Sequence, residues 1–165
     1  MKIKVLTSYK PGTWNEYAKR AVESVLQHWP EDLQVAVYHE TQPSDIFDHP
    51  RVEWHDIHET QPELVKFKNK YKDDPVANGE ITEIPNGVRR PGPMPSKGSF
   101  QWNAVRFANK VFCVTHAIKT NTDYDYIIWL DADTYSFRTM PQSFLDEVLP
   151  KETLITYLGR ENPKL

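Results

Sequence analysis

Two aspartates, Asp131 and Asp133, follow directly after the apolar run YIIWL at residues 126–130. A continuous apolar run of this kind predicts a strand buried at the centre of a sheet. Because removing one charged carboxylate from water costs several kcal/mol, two carboxylates beside a buried strand need a cation. Carboxylate oxygens suit Mg²⁺ or Mn²⁺, which often share their coordination with phosphates. The pattern therefore predicts a divalent metal site at Asp131 and Asp133.

The Asp-x-Asp spacing by itself is weak evidence, since about one match is expected by chance in a chain of this length. Asp123 and Asp125 also match it. That second pair precedes the apolar run, in a polar stretch where Asp is a common turn former. For Asp131 and Asp133 the competing interpretation is an exposed acidic turn that caps the next segment. The position directly after a strand favours the metal site.

The N-terminal part of the chain predicts a strand, a helix and a second strand, at residues 3–6, 14–29 and 33–38. Thr13 is the expected N-cap of the helix, with Glu16 completing a capping box. Pro30 ends the helix because it cannot continue the hydrogen-bond ladder. A strand, helix and strand in this order predict a parallel sheet with a right-handed crossover.

The remaining elements alternate in the same way. We expect a short strand at 52–57, helices at 61–71, 100–119 and 143–148, and strands at 126–130 and 154–157. The helix at 100–119 should bury an apolar face made of Val105, Ala108, Val111, Phe112 and Thr115. Prolines and charges predict a long, mobile loop at 72–97, which is either functional or disordered. The sequence thus predicts one α/β domain over residues 1–165.

The composition excludes several classes of protein. A net charge of -3 gives no support to a nucleic-acid partner. The single cysteine, Cys113, excludes an internal disulfide and is expected to be a small core residue. No signal peptide is recognisable, and no apolar run approaches the roughly 20 residues needed to cross a bilayer. We therefore expect a cytoplasmic protein without a membrane span; the sequence does not indicate its oligomeric state.

Polar residues also follow the first two predicted strands. Thr7, Ser8 and Tyr9 end the first, and Glu40 ends the second. Ligands of open α/β sheets bind outside the carboxyl ends of the strands. A nucleotide pocket built from Thr7, Tyr9 and Glu40 is expected, with the ring of Tyr9 stacking on a base. Ordinary packing of Tyr9 and a surface position for Glu40 are the alternatives. The histidines His39, His55 and His58 lack metal-ligand spacing and are expected to be surface or satisfied polar residues.

Basic residues could meet the charge of a phosphate ligand. Arg106 and Lys110 are one turn apart, so they share one face of the predicted helix. Lys97, together with Arg89 and Arg90, lies in the long loop, which could close over phosphate as a lid. A solvated helix face and a solvated loop are the corresponding alternatives.

The segment YIIWLDADTYSF at 126–137 resembles the signature of GT-A glycosyltransferases, in which hydrophobic residues precede Asp-x-Asp. The resemblance extends back through FQWNAVRFANKVFCVTHAI and forward through MPQSFLDEVLPKETLITYLGR. It implies a Rossmann-like, mostly parallel sheet flanked by helices, and a UDP-sugar donor such as UDP-glucose.

The family also implies a hexosyltransferase activity that depends on Mn²⁺ or Mg²⁺. Asp133 would bind the metal most directly, and Asp131 would reach the metal or the ribose. Ala132 would lie against the donor, and Arg106 and Lys110 would lie near the diphosphate.

The chain departs from the family after the aspartates. Family members commonly have an acceptor half there, with a late histidine for the metal, whereas only residues 134–165 follow Asp133 and none is histidine. We expect either a truncated acceptor half or a minimal enzyme with an open acceptor side. One alternative is a nucleotide-sugar-binding module that is non-catalytic or only hydrolytic. Another is a HAD-type phosphatase, although Tyr135 stands where that class usually has Thr or Val.

Overall fold

The computed structural model describes residues 1–46, 48–80, 103–149 and 152. The strands are β1 (Ile3–Ser8), β2 (Gln34–His39), β3 (Val52–Asp56) and β4 (Tyr126–Trp129). The helices are α1 (Lys19–His28), α2 (Ile57–Thr60), α3 (Pro62–Tyr71), α4 (Ala104–Thr120) and α5 (Gln142–Val148). The predicted strand at 154–157 and the loop residues Arg89, Arg90 and Lys97 lie outside the described residues.

The four strands form one parallel sheet in the order β3-β2-β1-β4. This confirms the predicted α/β class and the parallel pairing. In sequence order, β2 and β3 lie successively further to one side of β1, and β4 pairs with the other side of β1. The direction of strand addition therefore reverses between β1 and β4, and such switch points are where open α/β sheets bind ligands.

Two apolar layers cover the faces of the sheet. The first packs α1 and α5 against side chains such as Val5, Val35 and Val37. The second packs α3 and α4 against the opposite face, which carries Leu6 and Ala36. Successive side chains of a strand point to opposite faces, and this alternation separates the two sets.

Cys113 belongs to the second layer, as the sequence predicts. It is 0% exposed, and burial raises the pKa of its thiol to about 12. The thiolate is the reactive form of cysteine, so a buried thiol with a raised pKa acts as a small apolar residue.

Two details of helix formation differ from the sequence prediction. Thr13 occupies the N-cap position, but its side chain makes no capping hydrogen bond: its hydroxyl donates to the Lys10 carbonyl at 2.6 Å, inside the turn before the helix. The chain then enters α1 through a π-helical turn, Trp14–Ala18. The predicted apolar face of α4 is also wrong at Val111, which is 62% exposed, and at Thr115, which is exposed and donates to the Val111 carbonyl at 2.8 Å. Small residues, among them Cys113, are buried instead because they allow the helix to lie close to the sheet.

Histidines contribute to the buried part of the sheet, contrary to the expectation that His39 is a surface or satisfied residue. His39 is 4% exposed, and its Nδ1 has no hydrogen-bond partner within the described residues. The prediction is correct for His58, which is exposed. The half-buried His55 stacks on Tyr38, with ring centroids 4.7 Å apart. His116 on α4 hydrogen bonds to the Tyr38 hydroxyl at 2.9 Å.

The pair His55 and His116 should make stability depend on pH. Burial lowers the pKa of both imidazoles below the ordinary value of 6.5. Glu53 opposes this shift at His55, whereas Lys4 and the facing His116 add to it. Since the unfolded chain then binds protons more readily than the folded protein, the stability is complete above about pH 6.5 and is lost as the pH falls below it.

We expect the free energy of unfolding in urea to fall between about pH 7.5 and about pH 5.5. A double variant, His55→Gln with His116→Gln, should lose less over the same range because two titrating imidazoles are gone, while His39, whose pKa is also lowered by burial, remains. An equal loss in the double variant and the natural chain would contradict this assignment.

Candidate functional site at the carboxyl edge of the sheet

The carboxyl ends of β1, β2 and β4 lie along one edge of the sheet. The Leu130 amide donates to the Leu6 carbonyl at 2.9 Å, so pairing with β1 continues to the residue before Asp131. Tyr9 follows β1 on this edge, and residues 41–45 follow β2. The ends of the three strands that predicted site residues follow therefore lie along one edge of the sheet.

Asp131 and Asp133 flank a tight turn. The Thr134 amide donates to the Asp131 carbonyl at 2.9 Å, which closes a β-turn with Asp at a position it favours. Ala132 is 7% exposed and packs into the first apolar layer. The two aspartates on either side of it are exposed. Burial of Ala132 anchors the turn, and this leaves both carboxylates in solvent.

The exposure of both aspartates contradicts the premise that carboxylates beside a buried strand must bind a cation. All four residues of β4 are half-buried, and within the described residues the strand pairs only with β1. The Asp131 side chain is 62% exposed. Desolvation therefore does not force these carboxylates to bind a cation, and a metal site has to be argued from their position and chemistry.

The contacts of Asp131 are specific. The indole nitrogen of Trp129 donates to Asp131 Oδ1 at 2.5 Å. Lys110 Nζ lies 3.3 Å from the same oxygen and 5.3 Å from the centre of the Trp129 ring. Arg106 is exposed, one turn earlier on α4. Of the two basic residues expected near a diphosphate, Lys110 thus reaches Asp131 directly.

The second Asp-x-Asp pair lies at the opposite edge of the sheet. Asp125 Oδ2 accepts from the Lys2 amide at 2.7 Å, and Asp123 lies 3.3 Å from the Lys2 ammonium. Both contacts are made just before β1 begins. The prediction that this pair lies in a turn before the strand is therefore confirmed.

The carboxylates of Asp131 and Asp133 fit a metal ion that is shared with a bound ligand. Among the described residues, no group of three or more His, Cys, Asp or Glu side chains could hold a metal ion. Mg²⁺-like ions are commonly held by one or two carboxylates together with substrate phosphates. Asp131 and Asp133 can supply the protein's part of such a site, which predicts weak binding of the metal alone.

A pocket of about 210 Å³ opens beside β1 and β2 on this edge. Its walls include Tyr9 and Trp14 on one side and residues 41–45 on the other. The two rings are 5.3 Å apart, and the Tyr9 hydroxyl donates to the Thr41 carbonyl at 3.4 Å. Burial, followed by the charge of Asp45, raises the pKa of Tyr9 to about 12. The phenol therefore stays protonated and can donate a hydrogen bond.

Of the three residues expected to build a nucleotide pocket, only Tyr9 lines this one, and its ring is 4% exposed and packed in the first apolar layer, which agrees with the alternative of ordinary packing rather than with an open stacking face. Thr7 lies within β1 and is 3% exposed, with a hydroxyl that has no hydrogen-bond partner in the described part of the chain. Ser8 is half-exposed at the end of β1.

Glu40 points to the other face of the sheet. Its Oε1 accepts from Lys68 at 2.5 Å and from Asn109 at 2.9 Å. Burial raises the pKa of Glu40, but the hydrogen bonds from Lys68 and Asn109, together with the charges of Lys68 and His58, lower it by more in sum, so the net pKa is below its ordinary value. Glu40 is thus a charged acid that already ties α3 and α4 to β2.

Sequence reasoning missed the loop at 41–45 and the aromatic wall formed by Trp14. The loop has the composition TQPSD directly after a buried strand, which is a recognisable signal for a binding loop. Trp14 offered no such signal, because an aromatic residue at a helix start is usually a core residue. It is in fact both, since it is 3% exposed and lines the pocket.

Comparisons of the chain with protein-family models, with curated proteins and with solved structures each gave no match. In the described ranges, no helix has the length and apolar character that crossing a membrane requires.

Proposed function

We propose that the protein is a metal-dependent glycosyltransferase of the GT-A type, which binds a UDP-sugar and transfers the hexosyl group to an acceptor. One observation carries the proposal. A pocket of about 210 Å³ and the exposed pair Asp131 and Asp133 lie at the same carboxyl edge, on either side of the end of β1. That end of β1 is also the switch point of the sheet.

The dimensions of the edge support this assignment. Neighbouring strands lie about 4.8 Å apart, so the ends of β2 and β4 are separated by roughly 10 Å across β1. A nucleoside in the pocket would extend its diphosphate across the end of β1 and reach Asp131. The polar side chains of residues 41–45 suit the edge of a base and the ribose, whereas the rings of Tyr9 and Trp14, 4% and 3% exposed, add only a small apolar surface to the pocket.

The chemistry of the neighbouring groups agrees with departure of a nucleoside diphosphate. A divalent cation held by Asp131 and Asp133 would screen the negative charge of the leaving group. Lys110 stands beside Asp131, and Arg106 lies one turn away, so both add positive charge at the same edge.

The test is a calorimetric comparison of UDP, GDP and CMP, each with and without Mn²⁺. We expect UDP to bind most tightly and its affinity to rise when Mn²⁺ is added. Gln42→Ala, in the pocket wall, should weaken UDP binding, whereas Gln27→Ala on the exposed side of α1 should not. Equal affinity for the three nucleotides, or no effect of the metal, would contradict the proposal.

A second candidate is a module that binds the nucleotide-sugar but only hydrolyses it or does not react. The exposure of both aspartates favours it, because water has direct access to the metal-binding side of the site. Both candidates predict the same calorimetric result, and measurement of product formation separates them.

A further inference from the structure

Trp129 is placed to control the orientation of Asp131. It is the last residue of β4, where it pairs with Leu6 of β1. Its half-buried ring packs against the second apolar layer. From this fixed position the indole nitrogen donates to Asp131 Oδ1 at 2.5 Å. The strand therefore holds a donor at a set distance from a carboxylate that is otherwise exposed.

Lys110 adds a second restraint on the same oxygen. Its ammonium group lies 3.3 Å from Asp131 Oδ1, and the Trp129 ring lies beneath it at 5.3 Å from the ring centroid. An exposed aspartate normally samples several side-chain rotamers, and ordering it costs conformational entropy. Here the two contacts restrict the carboxylate before any ligand arrives. Both engage Oδ1, and this orients Oδ2 relative to the sheet edge.

We propose that Trp129 is a positioning residue, which presents the Asp131 carboxylate to the cation shared with the diphosphate; this inference rests on the proposed function. Residues that hydrogen bond to a metal-binding side chain fix the geometry of that side chain, and their loss typically costs about 10- to 100-fold in metal affinity or activity. The indole N–H has that role toward Asp131.

The test uses Trp129→Phe, which retains an aromatic ring beneath Lys110 and removes the N–H donor. The affinity for Mn²⁺ in the presence of UDP is measured from the electron paramagnetic resonance signal of free Mn²⁺. We expect the variant to bind Mn²⁺ about 10-fold more weakly. Its affinity for UDP without metal should not change, because the pocket lies beyond β1.

Trp29→Phe is the matched control. It also removes an indole hydrogen bond, from Trp29 to Ser136 Oγ at 2.7 Å, but at the far end of α1. We expect this control to leave the Mn²⁺ affinity unchanged. An equal loss of Mn²⁺ affinity in both variants would show a general effect on the fold and would overturn the inference.

Two further outcomes separate the inference from the proposed function. If the natural chain binds Mn²⁺ with UDP and Trp129→Phe binds it equally well, the role of Trp129 is wrong and the function stands. If the natural chain shows no Mn²⁺ binding with UDP, the proposed function fails, and the inference fails with it.

Discussion

Asp133→Ala should reduce the affinity for Mn²⁺ in the presence of UDP by at least about 100-fold. Loss of a residue that only hydrogen bonds to a metal ligand typically costs about 10- to 100-fold, and Asp133 is itself proposed as a ligand. The exposed turn supplies two carboxylates to the proposed site, and this variant removes one of them. Asp131 cannot compensate fully, because its Oδ1 is already engaged by Trp129 and Lys110. The rest of the coordination would come from the diphosphate, so UDP should lose most of its dependence on metal.

The chain provides its own control for this variant. Asp123 belongs to the other Asp-x-Asp pair, at the opposite edge of the sheet, and its side chain is 66% exposed. Asp123→Ala removes only a surface contact with Lys2, which is worth little. It should therefore bind Mn²⁺ and UDP as the natural chain does. UDP binding by Asp133→Ala with undiminished metal dependence would show that the metal is held elsewhere.

The elements of this fold could be predicted from the sequence because their signals are local. Apolar runs at the strands and helical spacing at α1 and α4 each lie within one short window. Pro62 lies in the first turn of α3, where proline is favoured, so the predicted start of this helix is confirmed. The general location of the site followed from one rule about parallel sheets, that ligands bind at the carboxyl ends of the strands.

Features that depend on packing between distant segments could not be predicted in this way. The helical period suggested Val111 for the buried face of α4, but packing against the sheet leaves it 62% exposed. Arg51 donates to the carbonyls of Leu26, Pro30 and Leu33 at 2.8–3.1 Å and joins α1 to β2. No sequence pattern marks that role, because the carbonyls are brought together only by the fold.

Contacts between distant segments could not be predicted at the candidate site either. The position of Asp131 after a strand was readable, whereas its hydrogen bond to Trp129 depends on the rotamer of a ring packed under α4. The expectation that Glu40 joins the nucleotide pocket was reasonable for a strand end. It did not account for Lys68 and Asn109, which approach Glu40 from α3 and α4 on the opposite face of the sheet.

Lys110→Ala should lower the release of UDP from UDP-glucose by about 100-fold at saturating Mn²⁺, the usual cost of losing one group that stabilises charge in the transition state. The ammonium group lies 3.3 Å from Asp131 and is directed to the edge where the diphosphate would leave. Arg106→Ala should have a smaller effect, since Arg106 lies one turn further along α4. Lys119→Ala, at the exposed end of the same helix, is the control and should retain full activity.

The assay should also show which acceptor the site uses. Because Asp131 and Asp133 are open to solvent, water has direct access to the anomeric carbon of a bound donor. Slow hydrolysis of UDP-glucose should therefore be easier to detect than transfer, and added glycerol or simple sugars should raise the rate only modestly, because orientation of the acceptor supplies much of the rate. Lys110→Ala should slow both reactions equally, since both release UDP. Fast turnover that strictly requires an acceptor, without background hydrolysis, would show that the chain builds a complete acceptor site.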